Sequence, residues 1–362
     1  MSRKKKRALK KKAKIILLLF VVFWIIVGLF LYFNKNNNKD SLKDIGYNYS
    51  EIEEINKYVS DKNIDYLIKY GYCKDLMSFI TDENYKDNNL KEYLEYYKKY
   101  NVSPNKIIIW VNDYNDLDLE FDETTLSFLQ QDYFIFKNLD RYLNYYKNNK
   151  DKTFKEIVKD VNSNIDKTFY VDVSKSNTSK GNLLIVNKFY YLDENYVPND
   201  LVSLDAEYGR TSVKLKKEAY ENFKKMADSA KKEGLEIYIR SGYRSYSDQQ
   251  NMYNYYVSND GVNEADTYSA RPGYSEHQTG LAIDIIKGKT GSYDDFKNTK
   301  EFTWMKENSY KYGFILRYTK ENEYITGYIY EPWHYRYVGE KVAKEIYEKG
   351  ITYEEYYAYY VE

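Results

Sequence analysis

Three hydrophobic patterns follow one another along this chain. The first is residues 15–33, IILLLFVVFWIIVGLFLYF, an apolar run without a charge. At about 1.5 Å per residue it matches a hydrocarbon core of roughly 30 Å, which predicts one transmembrane helix. Nine Lys and Arg residues and no acid lie among residues 1–33, so the positive-inside rule puts the basic tip, 1–14, in the cytoplasm. A cleaved signal peptide would end at a small-residue site, whereas NKNNNKD follows Phe33. The expectation is an uncleaved anchor, a polar stalk over 34–43 and a single-pass membrane protein with its body outside the cell.

The second pattern has helical spacing. Ser50 and Glu53 stand at capping-box spacing, and Ile52, Ile55 and Val59 share one helical face. Helical patches recur near 64–80, 89–100 and 124–166. Pro104 is expected to end the first helical stretch, with KIIIWV at 106–111 as a strand. Residues 172–182 are polar and turn-rich, a domain boundary by composition. No internal repeat is expected. The region 34–180 thus reads as a stalk and a mainly helical accessory part without a chemical motif.

The third pattern mixes both periods. Residues 214–233 place Leu215, Ala219, Phe223, Met226, Ala227 and Ala230 on one helical face, with Gly234 as a C-terminal stop. A second helix is expected at 246–257 and a third near 299–311. Strands are expected at 183–187, 235–240, 281–285, 313–318 and 325–330. This order predicts an α+β domain over 181–362, a mostly antiparallel sheet flanked by helices.

Composition changes this picture little. Hydrophobic residues make up 43%, enough for a core, and 46 tyrosines are expected mainly at its rim with their hydroxyls in water. The net charge of zero conceals a basic tip and a body of about −9. An acidic body argues against nucleic-acid binding. Cys73 is alone, so neither an internal disulfide nor a multi-cysteine metal site can form.

Candidate chemistry gathers around the only two histidines, His277 and His334. Imidazole and carboxylate together suit a three-ligand zinc site. Asp284 follows His277 by seven residues, and a tight turn at Gly280 would let them converge on one metal. Glu331 precedes His334 by three and stands before a proline, which favours extended geometry over a helix. Spacing alone leaves two unrelated histidines equally open, and it cannot choose Asp284 and Glu331 from 55 acids.

Four segments in order remove that ambiguity: SGYRSYSDQQ (241–250), ARPGYSEHQTGLAIDI (270–285), WMKENSYKYGFILRY (304–318) and ITGYIYEPWHYRYVG (325–339). They resemble the D-alanyl-D-alanine carboxypeptidase family of VanY-type zinc peptidases, within the superfamily shared with Hedgehog signalling domains. The motif S-x-H-x-x-G-x-A-x-D is met by Ser275, His277, Gly280, Ala282 and Asp284, and E-x-W-H by Glu331, Trp333 and His334. The resemblance implies one Zn²⁺ held by His277, Asp284 and His334, with Glu331 as catalytic base and then acid. It implies that Arg244 is catalytic and binds the substrate carboxylate, with Gln249 and Ser275 also binding substrate. The implied activity is removal of the terminal D-Ala from peptidoglycan stem peptides. L,D-carboxypeptidase and endopeptidase action share such a site, and a non-catalytic zinc-containing wall-binding module is a further class.

Overall fold

The computed structural model describes residues 20–25, 38–114 and 122–362. It divides into two compact units, Met1–Asp122 and Glu123–Glu362. Among the described residues no helix is long and apolar enough to cross a membrane. The transmembrane helix expected over 15–33 is therefore withdrawn, together with the membrane partner and the single-pass localisation. Of that run only residues 20–25 are described, and they are helical. The rest of the run, the basic tip 1–14 and residues 34–37 of the stalk lie outside the described residues.

The first unit holds the helices Tyr49–Tyr58, Asp61–Tyr70, Leu76–Ile80, Leu90–Tyr100 and Pro104–Tyr114. The capping box sits two residues earlier than expected: Asn48 caps the first helix, and Glu51 closes the box. Asn is as good a cap as Ser, so the spacing alone was ambiguous. Pro104 opens a helix instead of ending one, because proline's fixed φ and missing N–H suit the first helical turn. KIIIWV is accordingly helical, its Ile107, Ile108 and Val111 buried on one face.

A repeat is present after all. Residues 76–112 and 125–162 each form three helices with matching anchors, Phe79 with Phe128, Asn89 with Asn138, Tyr93 with Tyr142, and Asn112 with Asn162. In the first copy the Tyr93 hydroxyl and Asn89 Nδ2 donate to Asn112 Oδ1 at 2.5 and 3.0 Å. In the second copy Tyr142 and Asn138 donate to Asn162 Oδ1 at the same distances. The Asn112 amide donates to the Asn84 carbonyl, and the Asn162 amide to the Tyr133 carbonyl. Phe79 stacks on Tyr93, and Phe128 on Tyr142. Each asparagine thereby ties its own helix to the preceding helix and to the loop before that one, and in the second copy it does so while buried. Tyr93, Tyr142, Tyr335 and Tyr353 are buried, so tyrosine is core material here and not only rim.

The second unit begins with the helices Glu123–Leu129, Leu139–Asn148 and Phe154–Asn162. Two short pairs follow: β1 (Ser174–Lys175) beside β2 (Tyr190–Tyr191), and β3 (Leu201–Ser203) beside β4 (Lys214–Lys216). The main sheet is antiparallel, in the order β5 (Ile237–Ser241), β6 (Ala282–Lys287), β8 (Glu331–Tyr337), β7 (Phe314–Tyr318). Residues 184–187 form no strand. The expected strand at 325–330 is a short helix, Glu323–Thr326, because Gly327 at φ 73° stops the chain before the true strand starts at Glu331.

The sheet's two faces decide where the chemistry goes, since alternate residues point to opposite sides. Ile239, Ile283, Ile285, Phe314 and Tyr335 pack under the helix Lys217–Lys232 in the main core. Asp284, His334, Arg336 and Arg317 occupy the intervening positions and take the other face. Part of that face is covered by Tyr353, Tyr356 and Tyr357 of the last helix, Tyr353–Tyr360, which pack with Ile315.

Candidate metal centre

Asp284 and His334 are direct cross-strand partners in the β6–β8 ladder, so their side chains stand side by side. His277 reaches them from the short 3₁₀ turn Glu276–Thr279, which Gly280 ends in a left-handed conformation at φ 69°. A Cβ on Gly280 would lie 2.8 Å from a Leu201 methyl and 3.2 Å from Lys216 Cγ. Gly280→Ala is therefore expected to cost about 1–3 kcal/mol and to weaken metal binding, read by thermal melts with and without zinc.

One ligand atom from each of His277, Asp284 and His334 lies within 4.8 Å of the others, and all three residues are buried. The outer nitrogens of both rings are already engaged. His277 Nδ1 donates to the Gly242 carbonyl at 2.6 Å, and His334 Nε2 donates to Glu276 Oε2 at 3.3 Å. The remaining nitrogens, His277 Nε2 and His334 Nδ1, face Asp284 at 3.2 and 3.1 Å. Two imidazole lone pairs and a carboxylate turned on one another call for a proton or a cation between them. Two imidazoles fixed by outer hydrogen bonds, plus one carboxylate, are a donor set that fits zinc with a position left open.

The electrostatics agree. Burial would raise the Asp284 carboxyl, but the two imidazoles outweigh it and hold it well below its ordinary value. Burial lowers His277. Burial would also lower His334, yet its hydrogen bonds to Asp284 and Glu276 pull it up to about 9. Glu331 Oε2 lies 3.7 Å from His334 Nδ1. Burial pushes its carboxyl up to about 8; His334 works against that shift and Asp284 adds to it. A buried carboxyl poised near neutrality beside a candidate metal position suits proton transfer.

All seven residues singled out in the sequence line one cavity of about 490 Å³. Arg244 Nη1 donates to Gln249 Oε1 at 2.9 Å and Nη2 to Ser241 Oγ at 3.2 Å. Gln249 in turn donates to the Ala270 carbonyl at 2.7 Å, so it holds Arg244 in place. Ser275 caps the turn that carries His277.

The sequence reading missed Glu276, Arg317 and Arg336. Glu276 Oε1 accepts from Arg317 Nε at 2.9 Å and from Arg336 Nη1 at 3.1 Å, leaving Oε2 for His334. Burial opposes its charge, but the two arginines hold the carboxyl well below the ordinary range. The available signal was an arginine inside each of the apolar strands FILRY and HYRY, since a charge at such a position needs a buried partner.

A family model for VanY, D-alanyl-D-alanine carboxypeptidase, matches residues 212–340. A bifunctional D-Ala-D-Ala dipeptidase and carboxypeptidase of Enterococcus gallinarum is 34% identical over 183 residues, 49% of this chain and 94% of the relative. This chain belongs to the D-alanyl-D-alanine carboxypeptidase family. Another relative, a D-alanyl-D-alanine carboxypeptidase of Enterococcus faecium, is 33% identical over 52% of this chain and 61% of its own length. Among solved structures, the LdcB LD-carboxypeptidase is 44% identical, covering 52% of this chain and 90% of that one, with a TM-score of 0.49. The chain spans between half and two thirds of the length of the first curated relatives it matches.

Proposed function

We propose that this member of the family is a zinc-dependent carboxypeptidase that removes the terminal D-Ala from peptidoglycan stem peptides ending in D-Ala-D-Ala. One observation carries the reading: a metal-fitting triad, a carboxyl pushed up to about 8 and the guanidinium-bearing Arg244 line a single cavity. We assign the catalytic domain to 181–362 and leave the helical region 34–180 accessory.

Zinc bound by His277, Asp284 and His334 would polarise the scissile carbonyl and make water a better nucleophile. Glu331 takes a proton from the attacking water as its oxygen bonds to the carbonyl carbon. The same carboxyl then gives that proton to the leaving amine as the C–N bond breaks, which frees D-Ala and leaves a new carboxylate on the stem. Arg244 holds the substrate's terminal carboxylate with a planar, permanently charged fork, and Gln249 and Ser275 support it from the cavity wall. Recognition of the chain end confines cleavage to the last residue.

Arg244→Lys keeps the charge and loses the fork. It is expected to lower kcat/KM by about 10- to 100-fold, mostly through KM, as measured on a synthetic pentapeptide.

The deciding experiment is mass spectrometry of defined penta- and tetrapeptide stems after incubation with the zinc-loaded full chain, with a chelated control. Loss of one D-Ala from the pentapeptide, abolished by chelation, supports the reading. Release from the tetrapeptide alone replaces it with L,D-carboxypeptidase action, and internal fragments replace it with endopeptidase action. Zinc-loaded protein that leaves both stems intact overturns it.

A further inference from the structure

The last helix, Tyr353–Tyr360, lies beyond the residues matched by the family model, yet it sends a buried carboxylate towards the metal centre. Glu354 Oε1 and Oε2 accept from Arg317 Nη2 and Nη1 at 2.5 and 3.0 Å, a two-pronged pair. Asn187 Nδ2 donates to the same Glu354 at 3.1 Å. Arg317 uses its remaining nitrogen, Nε, on Glu276, and Glu276 uses its remaining oxygen on His334. Arg317, Glu276 and Glu354 are buried.

We infer that Glu354 is a positioning residue for the metal: through Arg317 and Glu276 it fixes the ring of His334 in its ligating orientation. The inference rests on the zinc reading above. Two physical features carry it. The first is geometry. The guanidinium fork is filled on both sides, so Arg317 cannot turn without releasing either the last helix or Glu276. The second is charge. Arg317 and Arg336 are balanced by Glu276 and Glu354, four charges summing to zero in a buried cluster. Neutralising Glu354 leaves Arg317 with Glu276 as its one counter-charge and draws that carboxylate away from His334, so the charge too acts through Glu276. The C-terminal helix therefore sets metal affinity from outside the ligand sphere.

The test uses the metal-free full chain and zinc alone, with the dissociation constant read by competition against a chromophoric chelator. Glu354→Gln preserves shape and is expected to weaken zinc binding about tenfold, the low end for outer hydrogen-bond partners of metal ligands. Glu276→Gln should weaken it at least as much. The double variant should bind no more weakly than Glu276→Gln alone, because Glu354 acts through Glu276. Thr352→Ala removes the cap of the same helix, where Thr352 Oγ1 accepts from the Glu355 amide at 3.1 Å, without touching the chain of contacts. It should lower thermal stability and leave zinc affinity unchanged.

If Glu354→Gln does not fold, Arg317→Lys decides by the same measure, since lysine keeps the charge and cannot grip both carboxylates. Unchanged zinc affinity in Glu354→Gln, additive losses in the double variant, or an equal loss in Thr352→Ala overturns the inference. A wild-type chain that binds no zinc overturns the metal reading itself, a separate and distinguishable result.

Discussion

Glu331→Gln is expected to lower kcat for D-Ala release by about 10²- to 10⁴-fold while zinc remains bound. The amide fills the same space in the cavity wall and cannot accept a proton. Burial already disfavours charge at this position, as the carboxyl's rise to about 8 shows, so the neutral side chain brings no new cost of desolvation. The loss should thus be one of chemistry rather than folding. Paired measurements decide it: stopped assays of D-Ala release, zinc content, and a thermal melt. A variant that loses activity only in step with its zinc would move Glu331 from proton carrier to metal support.

Asp284→Asn is expected to have the second largest effect, through the metal instead of the proton. Asp284 is the one carboxylate in the triad and stands between the two rings. Its amide retains the cross-strand position and loses the charge. Zinc affinity should fall by well over 100-fold, more than the loss of an outer hydrogen bond causes. The melt gives a direct reading. Free zinc at 100 times the dissociation constant stabilises the native chain by about 2.7 kcal/mol, and that increment should vanish in the variant. An undiminished zinc-induced rise in melting temperature would remove Asp284 from the ligand set.

Much of the sheet was legible from alternation. Apolar residues at every second position of 235–240, 281–285 and 313–318 mark strands with one core face, and the helix Lys217–Lys232 showed its stripe and its glycine stop, although Lys214–Lys216 with Leu215 is the strand β4 and not its first turn. The two histidines and their carboxylates stood in motifs whose spacing survives in the folded geometry. Other features were hidden for physical reasons. KIIIWV has the composition of a strand, and only tertiary burial of one helical face settles it as a helix. The duplicated three-helix module keeps few identities, chiefly a tyrosine, two asparagines and a phenylalanine. Its pattern is visible only when the chain is compared with itself at a shift of about 50 residues. Glu276 and Glu354 are two acids among 55, and nothing in their local spacing announces that Arg317 joins them. The anchor reading rested on hydropathy, the length of the run and its basic flank, and among the described residues no helix is long and apolar enough to sustain it.

The direct opposition of Asp284 and His334 across β6 and β8 has a consequence for folding fidelity. A slip of one residue between these strands would turn one strand's ligand into the apolar core and bring Ile283 or Tyr335 to the site. Such a mispaired sheet has no place for the ion. Metal capture during folding would therefore reward the native register alone, and the ion that serves chemistry would also proofread the pairing of the central strands.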